Sequence, residues 1–367
     1  MTGTSKELFG FLASKVSDFI NDHLGEHFEE MKTRTGEDEH IFKLGFTFSF
    51  PINQTAVNRG TLLRWTKGFD VVDAIGKDVC LMLQEELDAL DLKTHVAALV
   101  NDTVGTLMSR AYTFPGNHTT VAGVILGTGT NCAYIESMPA ITKLDHSAQP
   151  DAIANVPNMI VNTEWGAFDD ELLVMPMTIY DRELDGHTPN PGAQMFEKRV
   201  SGMFLGELLR CVVADLIDRN VLFGGRSSTP LITPWSQDTS VLSRMQADIT
   251  PDLETVNNIV TREFEIPSCT YDERVALKTI VDAIGRRSAY LSGAVISGLL
   301  RHTKSIGGPR PVDIGVDGSV FEFYPDYEIM MREAIAIALG SEVEQAISIG
   351  IAKDGSGVGA ALCALVA

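Results

Sequence analysis

The sequence predicts an α/β protein built as two domains, and three observations predict it. Helical stretches with a 3.6-residue apolar period alternate with short apolar, strand-like runs along the whole chain. Three of those runs end in Gly-rich turns: "LGTGTN" (126–131), "VDGS" (316–319) and "KDGSGVGAA" (353–361). The 367 residues, 44% hydrophobic and 21% charged, have an ordinary globular composition with room for two cores.

Taken in order, residues 4–30 read as a helix. Thr4 and Glu7 have capping-box spacing, and Phe9, Leu12, Val16, Ile20 and Leu24 mark one face. "FKLGFTFSFP" (42–51) alternates, is aromatic-rich and is closed by Pro51, so it predicts a strand. A helix around 78–90 leads to the apolar strand 96–100, and "VAGVILGTGTNCAYIE" (121–136) reads as strand, turn and strand. Loops are expected over 139–160, 187–192 and 224–234, and a long helix over 193–219. Helices dominate 250–302, a β-hairpin around Asp317-Gly318 is expected in 311–325, and 326–339 is helical. The chain closes as strand, Gly-rich turn and small-residue helix.

The net charge is 29 − 49 = −20. It disfavours nucleic acid and anionic membranes as partners, since both require clustered Lys/Arg. Five scattered cysteines form no CxxC and no zinc-type His/Cys spacing, so neither a disulfide framework nor a dedicated metal site is expected. No run of about 18 apolar residues occurs, and the N-terminus lacks the basic and apolar regions of a secretory signal. A cytoplasmic location is expected.

The chemistry-bearing residues fall into two sets. In the first, glycine lets a backbone approach phosphate oxygens, and hydroxyls or N–H groups at a helix start donate to them. None of the three turns is a GxxxxGK[ST] loop, and "GTGTNCA" imitates a dinucleotide fingerprint only loosely, because a strand rather than a helix follows. An NAD-linked oxidoreductase is thereby disfavoured. In the second set, polar residues stand in apolar or aromatic settings: Ser49, Thr66-Lys67, Asn101-Asp102, Asn131, Glu164 beside Trp165, Gln194 and Glu197. Asn, Gln, Asp and Glu on rigid elements suit a polyhydroxylated ligand. Each also has a plain structural reading: Asp102 or Asn101 as a helix N-cap, Asn131 as a turn residue, Glu164 as a strand-end charge, Lys67 and Glu197 as solvated positions.

Seven segments, "LGFTFSFP", "RWTKGFD", "NDTVGT", "LGTGTNCAYIE", "NTEWGAFD", "NPGAQMFEKRVSGMFLGELLR" and "AKDGSGVGAALCALVA", resemble the successive signatures of the hexokinase family. The pattern is most similar to fungal glucokinases and runs through the whole chain. The resemblance implies an actin-like (ribonuclease H-like) two-lobed ATPase fold, with 1–101 and the C-terminal helix 355–367 in the small lobe and 102–354 in the large lobe. It implies ATP-dependent phosphorylation of the glucose 6-hydroxyl, with Asp102 as the general base. Asn101, Asn131, Glu164, Gln194 and Glu197 would hold the ring hydroxyls, joined by Ser49, Thr66 and Lys67. Gly127, Thr128, Gly129 and Thr130 match the second phosphate-binding segment, Gly318 and Ser319 the adenosine segment, and Asp354, Gly355, Ser356 and Gly357 the start of the C-terminal helix near the nucleotide. The implied partners are glucose and related hexoses, and ATP with Mg²⁺ carried on the nucleotide. The chain is expected to act as a monomer or homodimer.

The family's first phosphate loop, a DLGGTN-like turn after an early strand, has no counterpart in these 367 residues. An unpaired edge is therefore expected on strand 44–50, and severely impaired turnover of these residues alone. A sugar-binding sensor or regulatory partner is the alternative reading.

Overall fold

A computed structural model describes residues 2–34, 42–66, 69–114, 116–143 and 156–367. The chain packs as two units, one of Met1–Phe114 with Asp354–Ala367 and one of Pro115–Lys353. The helix that begins at Asp102 belongs to the first unit, so that unit extends past residue 101.

In the first unit, Thr4 and Glu7 form the expected capping box: Glu7 N–H donates to Thr4 Oγ1 at 3.2 Å and Thr4 N–H to Glu7 Oε2 at 2.8 Å. The helix Ser5–His23 buries Phe9, Ala13 and Ile20 beside Val79, Leu83 and Leu87 of the helix Val79–Ala89. It stops at Leu24, and Gly25–Arg34 is a separate helix, so 4–30 is two helices. Glycine is a poor helix former, and the break falls at Gly25. Strand β1 (Phe42–Thr47) is followed by a hairpin that the sequence reading missed, β2 (Ile52–Ala56) against β3 (Arg59–Leu62). Strand β4 (Thr94–Val100) lies parallel to β1.

The far edge of β4 is satisfied without another strand. Gln84 accepts from Val96 N–H at 2.9 Å and donates to the Thr94 carbonyl at 2.8 Å, while Leu99 N–H donates to the Val57 carbonyl at 2.7 Å. Among the described residues β1 pairs with no strand except β4. The C-terminal helix Gly355–Val366 closes this unit through small residues. A Cβ on Gly45 would overlap the Ala360 carbonyl, and one on Gly359 would overlap the Gly105 carbonyl.

The second unit is built on one five-stranded sheet of order β7-β6-β5-β8-β9. Strands β5 (Thr119–Leu126), β6 (Thr130–Ser137) and β7 (Asn158–Asn162) run antiparallel; β8 (Val312–Asp317) and β9 (Ile347–Ile351) are parallel to β5. The expected hairpin at Asp317-Gly318 does not form. Both edges of β8 are already taken, by β5 and β9, and Gly318 (φ 125°) turns the chain into the helix Ser319–Phe323 with Val320 and Phe321 buried. Most core residues lie in one cluster that includes the 32-residue helix Tyr271–His302. The expected 193–219 helix is two helices, Glu197–Val200 and Gly202–Asp218, with Ser201 extended between them. The Gly202 and Met203 N–H groups donate to the Gly127 and Thr128 carbonyls, at 2.8 and 3.1 Å, so the second helix starts afresh on that turn. A short helix, Thr229–Ile232, stands inside the stretch read as a loop. Residues 144–155 of the expected loop 139–160 lie outside the described residues. No helix among the described residues is long and apolar enough to cross a membrane.

Candidate functional site

In the first unit the site grows from the end of β4. Buried Val96–Val100 deliver Asn101, whose Oδ1 accepts from Thr103 N–H at 3.0 Å and Thr103 Oγ1 at 2.5 Å. Asn101, not Asp102, is therefore the N-cap of the helix Asp102–Thr113, a role worth about 1 kcal/mol. Asp102 is left at the first helical position. Its Oδ1 accepts from Thr103 N–H at 2.8 Å, and Oδ2 has no hydrogen-bond partner among the described residues. Its backbone N–H donates to Ser49 Oγ at 3.2 Å, which joins two of the expected site residues.

The Thr66 carbonyl accepts from Phe69 N–H at 3.1 Å. Trp65 stacks on Phe69 at 5.5 Å and donates from its indole to the Val71 carbonyl at 2.7 Å. Lys67 lies outside the described residues. Asp354 caps the C-terminal helix in the left-handed region (φ 53°), followed by Gly355, Ser356 and Gly357. The Ser356 carbonyl accepts from Thr47 Oγ1 at 3.2 Å, and a Cβ on Gly105 would lie 2.7 Å from it. This turn and the helix that carries Asp102 are thus in backbone contact.

In the second unit Glu164 occupies the left-handed region (φ 50°) directly after β7. Its Oε1 accepts from Asn131 Nδ2 at 3.1 Å and from Asn162 Nδ2 at 2.8 Å. Trp165 donates from its indole to Thr130 Oγ1 at 3.0 Å, and Thr130 N–H donates to Glu197 Oε2 at 3.0 Å. Gly166 leaves room for Gln194, because a Cβ there would overlap the Gln194 amide oxygen and meet Glu197 Cβ and the Thr130 carbonyl oxygen, each at 3.4 Å. Asn131, Glu164, Gln194, Glu197 and Thr130 are therefore one neighbourhood.

Two residues in this neighbourhood escaped the sequence reading. Asn162 is one, and Asp170 the other: its carboxylate accepts from Met195 N–H at 2.8 Å and Gln194 N–H at 3.3 Å, holding Gln194 at φ 58°. Two-residue spacing from Glu164 at a strand end was the available signal for Asn162; nothing in the sequence marked Asp170.

The Gly-rich turns of this unit also converge. A Cβ on Gly318 would lie 2.5 Å from the Leu126 carbonyl and 2.6 Å from Gly127 N, so only glycine permits the approach of 126–127 to 318–319. Thr128 is exposed on this turn.

Among the described residues, Glu183, His187 and Cys211 hold potential ligand atoms within 4.8 Å of one another. The Arg210 guanidinium stands among them, 2.7 Å from Glu207, 3.3 Å from Cys211 Sγ and 3.5 Å from Glu183. Burial pushes the Cys211 thiol up, against the thiolate a metal needs. Arg210 thus already supplies the positive charge at this cluster.

Two family models, both described as hexokinase, match residues 1–112 and 121–366. Glucokinase of Aspergillus niger is 48% identical over 384 residues, covering 100% of this chain and 77% of that protein. Glucokinase-1 of Saccharomyces cerevisiae is 43% identical, covering 99% and 75%. A hexokinase from Schistosoma mansoni, solved in complex with glucose, superposes with a TM-score of 0.83 at 33% identity over 100% of this chain and 77% of that one. These matches and the α/β architecture define a sugar kinase of the actin-like ATPase fold. The chain belongs to the hexokinase family.

Proposed function

We propose that the chain phosphorylates glucose at its 6-hydroxyl with ATP, Asp102 serving as general base. The observation that carries this reading is the state of Asp102 itself. Asn101 has taken over the capping that would otherwise account for an acidic residue here, and among the described residues Asp102 keeps one carboxylate oxygen unengaged at a helix start. Phosphoryl transfer asks a protein mainly for alignment and charge stabilisation, and one carboxylate in hydrogen-bond reach can orient and deprotonate the attacking hydroxyl. Ser49 fixes the backbone beneath it.

The sugar's remaining hydroxyls are assigned to Thr66, Lys67 and Asn101 in the first unit, and to Asn131, Glu164, Gln194 and Glu197 in the second. ATP, carried with Mg²⁺ as the substrate complex, is assigned to Gly127–Thr130, Gly318-Ser319 and Asp354–Gly357. The steric need for glycine at Gly318, its close approach to Gly127 and the exposure of Thr128 support that assignment. The reading is tested by measuring ATP-dependent glucose phosphorylation and glucose binding on one preparation of wild-type and Asp102→Asn protein. Loss of turnover with binding retained supports it, and turnover that survives the substitution removes Asp102 from its role.

A further inference from the structure

The polar group around Glu164 has a direction that its hydrogen bonds determine completely. Cys132 N–H donates to Asn131 Oδ1 at 2.7 Å, so the Asn131 amide can be oriented only one way. Its Nδ2 then faces Asn162 Oδ1 at 2.9 Å and Glu164 Oε1 at 3.1 Å, which engages both of its hydrogens. Asn162 is oriented in turn: its Oδ1 accepts from Asn131, and its Nδ2 donates to Glu164 Oε1 at 2.8 Å. Two amides thus converge on one carboxylate oxygen, and Glu164 Oε2 has no partner among the described residues.

We propose that Asn162 is a positioning residue for sugar recognition. Through its own Nδ2 and by aligning Asn131, it holds Glu164 Oε1 so that Oε2 is a fixed acceptor for one sugar hydroxyl. The inference deepens the sugar-kinase reading and rests on it. An ionised carboxylate only accepts, so the hydroxyl it meets must donate. Glu164 Oε2 is therefore the acceptor that discriminates at that position, with the Asn131 amide hydrogens engaged inside the network. A sugar lacking that hydroxyl leaves Oε2 unsatisfied and is rejected.

The test is glucose calorimetry and steady-state kinetics on the full chain for Asn162→Ala, Glu164→Ala and the double variant, with Asn162→Asp as a second probe that keeps the size and removes both donors. Asn162→Ala is expected to weaken glucose binding about tenfold, with kcat and the KM for ATP within about threefold. Asn162→Asp should weaken it more, and the double variant should bind like Glu164→Ala. The melting temperature should stay within about 2 °C of wild type, since Asn162 is exposed. An Asn162→Ala affinity within twofold of wild type overturns the proposal. So does an equal loss in the presence and absence of Glu164. If wild-type protein binds no glucose, the sugar reading itself fails. The network is then judged by ¹⁵N-asparagine spectra: side-chain resonances of Asn131 and Asn162 left unmoved by Glu164→Ala overturn it, and shifted ones retain the network without its sugar role.

Discussion

The two units position their acidic residues by opposite means. Asp102 is held by backbone: its helix approaches the C-terminal helix so closely that Gly105 and Gly359 have no room for a side chain, and its N–H rests on Ser49. Glu164 is held by side chains: two asparagines on one oxygen, with Trp165, Thr130 and Glu197 linked beside it. A backbone-held group tolerates changes of polarity nearby and fails when volume is added. A side-chain-held group tolerates volume and fails when a donor is removed. The difference teaches which substitutions will harm the polar group of each unit.

The largest expected effect comes from the chemistry that the first unit's rigidity serves. Asp102→Asn preserves volume and removes the base. Phosphorylation should fall about 10³-fold, while glucose affinity, read by calorimetry, stays within about threefold. A kcat near wild type would contradict the assignment. In the second unit Glu164→Ala should weaken glucose roughly ten- to hundredfold, since a hydrogen bond to a charged group contributes about 1.5–3 kcal/mol. Unchanged affinity would take Glu164 out of the site.

The steric half of the comparison is sharpened by two glycines of the same helix. Gly359→Ala drives a Cβ into the Gly105 carbonyl and should destabilise the first unit by about 1–3 kcal/mol in urea unfolding. Gly357→Ala meets nothing within 4 Å, and should raise stability by about 0.5–1 kcal/mol as helix propensity dictates. If both substitutions behaved alike, backbone contact would not be what holds this unit.

The same contrast explains what could be read in advance. The Thr4/Glu7 cap, β4 and the Asn101-Asp102 junction were legible because local pattern and tertiary role agree there. The distribution of labour within the junction was not: both Asn and Asp cap well, and only hydrogen-bond geometry assigns the cap to Asn101. The expected hairpin at Asp317-Gly318 failed because a local turn signal was overruled by the pairing of β8 with β5 and β9. The 193–219 helix broke at Ser201 because the turn at Gly127 takes the next two N–H groups, a contact distant in sequence. Asn162 and Asp170 look like any strand-end Asn and loop Asp until Glu164 and Gln194 are placed beside them. Lys67 stands on the resemblance alone.

The smallest expected effect is on pH, and it again belongs to the unit held by side chains. Burial pushes the Asp181 carboxyl up, but Arg287 at 2.9 Å and the N–H and hydroxyl of Thr178 outweigh burial and hold it below the ordinary carboxylate value. The native state therefore takes up that proton less readily than the unfolded chain. The stabilisation is fully present above about pH 4, and is lost as pH falls through the lower native value. Asp181→Asn should lower stability at neutral pH and flatten the acid slope of the urea midpoint below about pH 4. Tyr327 gives the opposite limb: burial pushes its phenol up to about 12, against its hydrogen bonds with the Ser288 and Ser292 hydroxyls. Its contribution is complete below about pH 10 and fades towards 12. An acid slope that Asp181→Asn leaves unchanged would mean that other carboxylates carry it, and that the buried ion pair is not what ties this part of the second unit together.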